Sequence, residues 1–163
     1  MNDISQMIDP VDLIKQFYRA FAQKDADGML DCYHSNVTFE DPVFGKLNAT
    51  EVGGMWKMLV NRGGDQLEVR LVQVSEDDGK VKARWEADYV FKTSGRFVNN
   101  KISAEFVIKD DKIISHKDDF DLHKWSSMAF GLKGTLFGGF PFFKNAVRKK
   151  ARFHLNKYVE PSP

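Results

Sequence analysis

Four stretches of the sequence alternate between apolar and polar side chains, and this alternation constrains the fold more than any other feature. In the stretch 80–92, apolar residues recur at every second position from Val81 to Phe91, and charged residues fill most positions between them. Asp78-Gly79 and Asp110-Asp111 stand where hairpin turns are needed. The pattern predicts antiparallel strands with one buried face over 67–75, 80–92, 97–109 and 112–122.

Helical periodicity precedes these strands. Asp9-Pro10 supplies a capping residue followed by proline, and apolar side chains then recur at helical spacing from Leu13 to Phe21. Two further helices are predicted over 26–33 and 51–61, the second capped by Thr50, with a strand over 37–41 between them. Helices followed by a strand meander predict an α+β fold, in which helices pack on one face of a curved antiparallel sheet.

Charge is unevenly distributed along the chain. The whole sequence has 24 basic and 23 acidic residues, whereas 125–163 contains seven basic residues and one acidic residue. We therefore predict one domain over 1–124 and an aromatic, basic C-terminal extension over 125–163. The near-neutral total argues against a protein that binds nucleic acid.

The sequence also bears on location. The N-terminus lacks the apolar stretch of a secretory signal, and no apolar run approaches the roughly 18 residues of a membrane span. Cys32 is the single cysteine, which excludes an internal disulfide and a cysteine-based metal cluster. These features predict a cytoplasmic protein.

The extension allows two interpretations. Its phenylalanines and leucines could fold back as a lid over a cavity or as a dimer seam, or its basic helix over 144–158 could bind a membrane surface or an acidic partner. Because so many apolar side chains are costly to leave in water, we expect residues 125–158 to pack on the domain. Membrane contact is the less favoured alternative.

Three polar residues fall on apolar faces of predicted strands: Asp41, His116 and Asp118. A carboxylate in an apolar cavity is a stronger base than in water, and a nearby histidine can share its proton, so these are candidate catalytic residues. Each has a structural alternative. Asp41 could shape an Asx turn before Pro42, His116 could be a satisfied interior histidine, and a strand bulge would turn Asp118 outward.

The chain contains 14 phenylalanines, three tryptophans and four tyrosines, which indicates either a heavily aromatic core or an aromatic-lined cavity. His116, Asp118 and His123 form no recognisable metal motif, and no glycine-rich phosphate loop is present, so we predict no metal and no cofactor. The candidate ligand-binding residues, several of which could equally be core residues, are Phe17, Tyr18, Phe39, Trp56, Trp85, Tyr89, Asn100 and Phe120.

The segment from Gln16 to Pro42, QFYRAFAQKDADGMLDCYHSNVTFEDP, resembles the first helices and strand of the nuclear transport factor 2-like superfamily. This group includes ketosteroid isomerases, SnoaL-type polyketide cyclases and limonene epoxide hydrolases. The resemblance covers about residues 10–122 and implies a cone-shaped fold, with a curved sheet wrapped around N-terminal helices and an internal pocket. It is poorly specific for function, because this fold carries enzymes and non-enzymes alike.

Ketosteroid isomerase provides the most informative chemical comparison. Glu40-Asp41-Pro42 matches the triplet that holds its general base, so the resemblance places Asp41 at the base position. The oxyanion-hole tyrosine position corresponds to Phe17, with Tyr18 one residue away, and the protonated aspartate position corresponds to Ala104. Because an enolate would lack these two donors, we do not expect steroid isomerisation.

Three functional hypotheses follow. The first is an isomerase, cyclase or hydratase acting on a small apolar organic molecule, with Asp41 as base and His116 and Asp118 as partner acid or water-positioning groups. The second is a non-catalytic binding protein for a small hydrophobic ligand. The third is a membrane- or protein-interaction module that uses the extension. For each we expect a homodimer formed through the outer face of the sheet.

Overall fold

The computed structural model describes residues 6–159 and contains six strands and six α-helices there. The helices are α1 (Pro10–Ala22), α2 (Ala26–Leu30), α3 (Ala49–Gly63), α4 (Leu122–Phe130), α5 (Leu132–Phe137) and α6 (Pro141–Leu155). The strands are β1 (Tyr33–Asp41), β2 (Gly45–Leu47), β3 (Glu68–Asp77), β4 (Lys80–Phe91), β5 (Arg96–Lys109) and β6 (Lys112–Asp119). The predicted α+β class is confirmed.

All six strands form one curved sheet in the order β2-β1-β6-β5-β4-β3. The pairs within β3–β6 are antiparallel, as predicted, and Asp78-Gly79 and Asp110-Asp111 adopt positive φ at the two tight turns. The sequence pattern did not reveal that β1 pairs with β6 in parallel, with Phe39 opposite His116. This pairing brings the end of β1 beside the end of β6.

Several predicted boundaries differ from those of the structure. The second helix ends at Leu30, and Tyr33 is the first residue of β1. Helix α3 is capped by Asn48, because its side chain accepts a hydrogen bond from the Glu51 N–H while the Glu51 carboxylate accepts from the Asn48 N–H. The prediction that Thr50 caps this helix was therefore wrong. At α1 the predicted cap is confirmed, since Asp9 accepts from the Val11 and Asp12 N–H groups.

The last strand is shorter than predicted. It ends at Asp119, because Asp121 caps α4 by accepting a hydrogen bond from the Lys124 N–H. A register shift between Val107 and Ile108 of β5 also changes the facing of residues at the start of β6. Ile113 is therefore the buried residue there, whereas the alternation had placed Ile114 inward.

Aromatic side chains fill the space between the sheet and the first helices. Phe17 and Phe21 of α1 contact Trp56 of α3, with ring centroids 5.8 and 5.0 Å apart respectively. The opposite face of the sheet carries polar side chains, including Lys82, Arg84, Glu105, Lys117 and Asp119. The homodimer expected on that face stays a prediction.

Helix α6 packs against α3 and the β1–β2 turn. The Arg152 guanidinium donates hydrogen bonds to the carbonyl oxygens of Phe44 and Lys46 and to the Glu51 carboxylate, and Leu155 is fully buried. These contacts agree with the expectation that the extension packs back. The division predicted at residue 124 stays a prediction, although α4 spans it.

Several large apolar side chains of the extension are exposed. Phe137, Phe140, Phe142 and Phe153 are between 42% and 63% exposed, and Leu132 and Leu136 of α5 are 73% and 57% exposed. None of the helices within residues 6–159 combines the length and apolar character needed to cross a membrane.

Candidate functional site

A cavity of about 220 Å³ lies between the sheet and helices α3, α4 and α6. Its most buried wall is aromatic and includes Phe39, Trp56 and Trp85, each no more than 6% exposed. Helices α4 and α6 also contribute to the wall, with Trp125 and Phe130 from the first and Val147 and Ala151 from the second. The interior therefore suits an apolar organic group.

Asp41 is the last residue of β1 and lines this cavity. One carboxylate oxygen, Oδ1, accepts hydrogen bonds from the Val43 and Phe44 N–H groups at 2.9 and 2.6 Å. Within residues 6–159 the second oxygen, Oδ2, accepts none. The Asx turn considered as a structural alternative is thus present, and it holds the side chain with one oxygen left for a ligand.

The surroundings of Asp41 favour its protonated form. The pKa of Asp41 is raised from 3.8 to about 7, mainly by burial in the apolar cavity and in smaller part by the negative charge of Asp118. Hydrogen bonds from Phe44 and Val43 and the charge of Arg148 act in the opposite direction. The group therefore exchanges its proton close to neutral pH, where a general base works best.

The parallel pairing of β1 and β6 explains why two carboxylates meet. Glu40 and Lys117 form the last pair of the β1–β6 ladder, and Asp41 and Asp118 are the residues that follow this pair. Asp118 is 4% exposed and also lines the cavity. It lies opposite Ala104 in the β5–β6 ladder.

A chain of buried hydrogen bonds leads from α3 to Asp118. Trp56 Nε1 donates to the Tyr33 hydroxyl at 2.8 Å, and that hydroxyl lies 2.8 Å from His116 Nδ1. His116 Nε2 lies 2.9 Å from Asp118 Oδ1, which also accepts a longer bond of 3.4 Å from Trp85 Nε1. One proton arrangement satisfies every group: Tyr33 donates to Nδ1, and a neutral His116 donates from Nε2 to the Asp118 carboxylate.

His116 is fixed by packing as well as by hydrogen bonds. Its ring is enclosed by Phe17, Phe39, Trp56 and Phe106, with centroid distances of 4.2–6.0 Å, and its side chain is fully buried. It does not line the cavity. His116 therefore acts on the cavity only through Asp118.

Two other polar side chains face the cavity with hydrogen-bonding capacity to spare. The Tyr89 hydroxyl oxygen accepts a hydrogen bond from Trp125 Nε1 at 2.7 Å, and its own hydrogen has no acceptor within residues 6–159. Burial raises the pKa of Tyr89 to about 12, so this hydroxyl stays protonated. The Asn100 side chain is 8% exposed and has no hydrogen-bond partner in the described part of the chain. Both can donate to a ligand.

The structure places most of the predicted ligand-binding residues on the cavity wall, namely Phe39, Trp56, Trp85, Tyr89, Asn100 and Phe120. Phe17 and Tyr18 lie behind that wall in the core, at 0% and 2% exposure, because α1 faces the inner layer of aromatic rings. Tyr33 and Trp125 were missed. Tyr33 had been assigned to a helix, and Trp125 to the extension, so neither was considered as part of the site.

No group of three or more His, Cys, Asp or Glu side chains within residues 6–159 is arranged to hold a metal ion. The Tyr18 hydroxyl oxygen is completely shielded from solvent and has no hydrogen-bond partner in this region.

Comparisons with known proteins agree with this architecture. A ketosteroid isomerase-like protein from Catenulispora acidiphila, in complex with trimethylamine, has a TM-score of 0.62 and 12% identity, over 72% of this chain and 92% of that one. An epoxide hydrolase of the limonene epoxide hydrolase-like type from M. tuberculosis has a TM-score of 0.60 and 15% identity, over 78% and 92% respectively.

A third solved structure, a nuclear transport factor 2-like protein of unknown function from Burkholderia pseudomallei, has a TM-score of 0.64 and 15% identity, over 76% of this chain and 98% of that one. At such identities the likeness shows the cone-shaped fold alone. No curated protein matches the chain significantly. The model of the SnoaL-like domain matches residues 14–116, which is more than half of the sequence. The chain therefore belongs to the SnoaL-like domain family.

Proposed function

We propose that the chain catalyses a proton-transfer reaction on a small, largely apolar organic molecule, as an isomerase, cyclase or hydratase, with Asp41 as general base. The observation that carries this proposal is the free Oδ2 of Asp41 in an apolar cavity, on a carboxyl group whose pKa lies at about 7. A carboxylate with an ordinary pKa would be a weaker base by roughly a thousandfold in proton affinity.

In the proposed reaction, Asp41 transfers the proton and Tyr89 stabilises the enolate. Asp41 Oδ2 removes a proton from a carbon next to a substrate carbonyl, and the electron pair moves to the carbonyl oxygen to give an enolate. The Tyr89 O–H donates a hydrogen bond to that oxygen, and the bond from Trp125 Nε1 polarises the Tyr89 hydroxyl. Return of the proton to another carbon completes an isomerisation. In a cyclisation the enolate carbon attacks a second carbonyl carbon, the π electron pair of that carbonyl moves to its oxygen, and the resulting alkoxide takes the proton from Asp41.

The same residues suit hydration. Asp41 then takes a proton from water as the water oxygen bonds to an electrophilic carbon, for example of an epoxide, whose C–O bond breaks while Tyr89 donates to the leaving oxygen. Asp118 is positioned by His116 and Trp85, and it can hold the attacking water beside Asp41. The fold likeness to an epoxide hydrolase supports including this reaction class.

A substrate panel of β,γ-unsaturated ketones, β-keto esters and aliphatic epoxides tests this proposal. We expect kcat/KM for the best substrate to rise with pH through about 7, because Asp41 must be ionised to accept the proton. Asp41→Asn should lower kcat/KM at least about 100-fold and Tyr89→Phe about 10- to 100-fold. Asp119→Asn, on the exposed face of the same strand as Asp118, is the matched control.

Two results would contradict the catalytic proposal. One is turnover that survives Asp41→Asn. The other is saturable binding of panel compounds with no turnover of any of them, which would favour the hypothesis of a non-catalytic binding protein.

A second function is favoured by a separate observation, the exposed apolar surface of α5 and α6. Its aromatic rings cluster, with Phe142 5.8 Å from Phe140 and 6.1 Å from Phe137. Residues 122–159 include eight basic residues and no acidic residue, and Arg152 alone among these basic residues forms an ion pair within the described chain. We propose that this aromatic-basic surface (Leu132, Leu136, Phe137, Phe140, Phe142 and Phe153, with Lys133 and Lys144) docks on an anionic phospholipid bilayer.

Vesicle sedimentation tests the docking proposal. The protein should bind phosphatidylcholine vesicles that contain phosphatidylserine more tightly than pure phosphatidylcholine vesicles, and added salt should weaken this binding. Phe140→Ser with Phe142→Ser should reduce binding by about tenfold or more, because two rings no longer enter the interface. Phe97→Ser, at an exposed phenylalanine of β5, is the control.

Equal binding by the double variant and the Phe97→Ser control would overturn the docking proposal. So would a dimer of the wild-type chain that dissociates in the double variant, because the surface would then be a contact between copies.

A further inference from the structure

Four basic side chains gather at the exposed part of the cavity wall. They are Arg62 near the end of α3, Lys92 after β4, and Lys150 and His154 on α6. The deeper wall is apolar and almost fully buried, whereas Lys92 and Lys150 are exposed and Arg62 and His154 are partly exposed. The four residues therefore form a basic rim around the cavity opening.

The basic rim has no acidic partner within the described residues. Arg62, Lys92, Lys150 and His154 form no ion pair there, whereas the neighbouring Arg152 is neutralised by Glu51. The two carboxylates of the cavity, Asp41 and Asp118, are engaged with backbone N–H groups and with His116 and Trp85.

The positive charges at the rim act on the neighbouring His154 ring. Burial lowers the pKa of His154, and the charges of Arg62, Lys157 and Lys150 lower it further. Cations brought together without a counter-ion leave a positive potential, which an incoming anion can neutralise.

We propose that the molecule bound in the cavity is an amphipathic anion, with its apolar body among the aromatic rings and a carboxylate held by the basic rim. This inference rests on the cavity assigned in the proposed function and adds the substrate class. With the carboxylate held at the rim, the rest of the molecule extends into the cavity that Asp41 and Tyr89 line, where its reacting carbonyl or epoxide would lie. A ligand that is apolar at both ends would leave the rim cations unpaired.

Competition between two near-isosteric probes tests the inference. Octanoate and octanamide share the same alkyl chain and differ in charge at neutral pH. Each is titrated against a neutral fluorophore, 1-N-phenylnaphthylamine, bound to the full chain. Octanoate should displace the fluorophore at roughly tenfold lower concentration, as expected when one or two charge-assisted contacts form at a partly exposed rim.

Substitutions in the basic rim test whether its cations cause the tighter binding of octanoate. Arg62→Gln with Lys150→Gln should raise the dissociation constant of octanoate by about tenfold and leave that of octanamide unchanged, which also reports that the variant is folded. Lys149→Gln removes an exposed charge of the same helix that does not line the cavity, and it should change neither constant. Bound octanoate should also move the NMR titration of the His154 ring to higher pH, because a nearby anion favours the imidazolium.

The outcomes separate this inference from the proposed function. If octanamide and octanoate bind equally, or if Lys149→Gln weakens octanoate as much as the double variant, the amphipathic-anion proposal is overturned and the cavity remains. If neither the fluorophore nor the two probes bind, the cavity itself is not a ligand site, and both proposals are overturned.

Discussion

At about pH 8, the variant Asp41→Asn should be more stable to unfolding than the wild type by about 2–4 kcal/mol. In the folded protein the pKa of Asp41 is about 7, whereas the ordinary value is 3.8. A raised folded-state pKa means that the stability contributed by the bound proton is complete below about pH 4 and is lost as the pH rises through about 7. Asparagine stays neutral and its side-chain oxygen can still accept from Val43 and Phe44.

Urea unfolding at a series of pH values checks this expectation. The difference in unfolding free energy between Asp41→Asn and wild type should grow between about pH 4 and 8, and other titrating groups cancel in that difference. Asp119→Asn should show no such growth. A variant that is less stable than wild type at about pH 8 would contradict the account, since it would mean that the folded protein favours the ionised carboxyl group.

A gain in stability together with a loss of turnover would identify Asp41 as a residue kept for function. An ionisable group that opposes folding at neutral pH is retained where its chemistry is needed. The unfolding free energy and the turnover of Asp41→Asn thus test independently whether Asp41 is kept for function.

Removing the Tyr33 hydroxyl should have the second large effect. In Tyr33→Phe, Trp56 Nε1 and His116 Nδ1 both lose their partner while they remain buried, and the unfolding free energy should fall by about 2–4 kcal/mol. Tyr18→Phe is the matched control, because the Tyr18 hydroxyl is buried with no partner in the described chain. That variant should be neutral or more stable by up to about 1 kcal/mol.

Thermal or urea unfolding of the two phenylalanine variants at the same pH makes the comparison. Equal losses of unfolding free energy in both variants would show that the Tyr33 hydroxyl contributes no more to stability than the unpartnered Tyr18 hydroxyl. This result would contradict the hydrogen-bond chain from Trp56 to Asp118. A larger loss in Tyr18→Phe would contradict it equally.

The alternation of side chains in β4–β6 was sufficient to place the polar site residues on their strands. His116 and Asp118 both face inward as the period of two required, and the turns at Asp78-Gly79 and Asp110-Asp111 bound the strands. The same rule placed Ile114 on the wrong face. A bulge shifts the strand register by one residue, and the alternation of apolar and polar side chains does not reveal it. The bulge lies ahead of His116, so the error did not reach the site.

Relations between distant segments could not be predicted from periodicity. The parallel pairing of β1 with β6 sets Asp41 beside Asp118, and no local pattern near either residue signals it. Tyr33 fits the spacing of the preceding helix, and only long-range pairing with Ile113 makes it a strand residue. The Tyr33–His116 bond, which spans 83 positions of the chain, was therefore invisible in the sequence.

The extension shows the limit of reasoning from composition. The cost of exposing apolar surface was the reason to expect that residues 125–158 pack on the domain, and Leu155 of α6 is buried. This cost does not predict which phenylalanines are buried, because their burial depends on how much surface the domain leaves free for them to pack against. The rings that remain exposed lie beside unpaired basic residues, and this arrangement is what favours a membrane surface as their partner.

The proposed role of Asp41 depends on a proton that it holds near neutral pH in a cavity open to a ligand. The most direct test is a carbon-13 NMR titration of the Asp41 side-chain carboxyl, assigned by its loss in Asp41→Asn, in the wild type and in Asp118→Asn. We expect a midpoint at about pH 7 in the wild type and a lower midpoint in Asp118→Asn, where the neighbouring negative charge is absent. A wild-type midpoint near the ordinary value of 3.8 would contradict it.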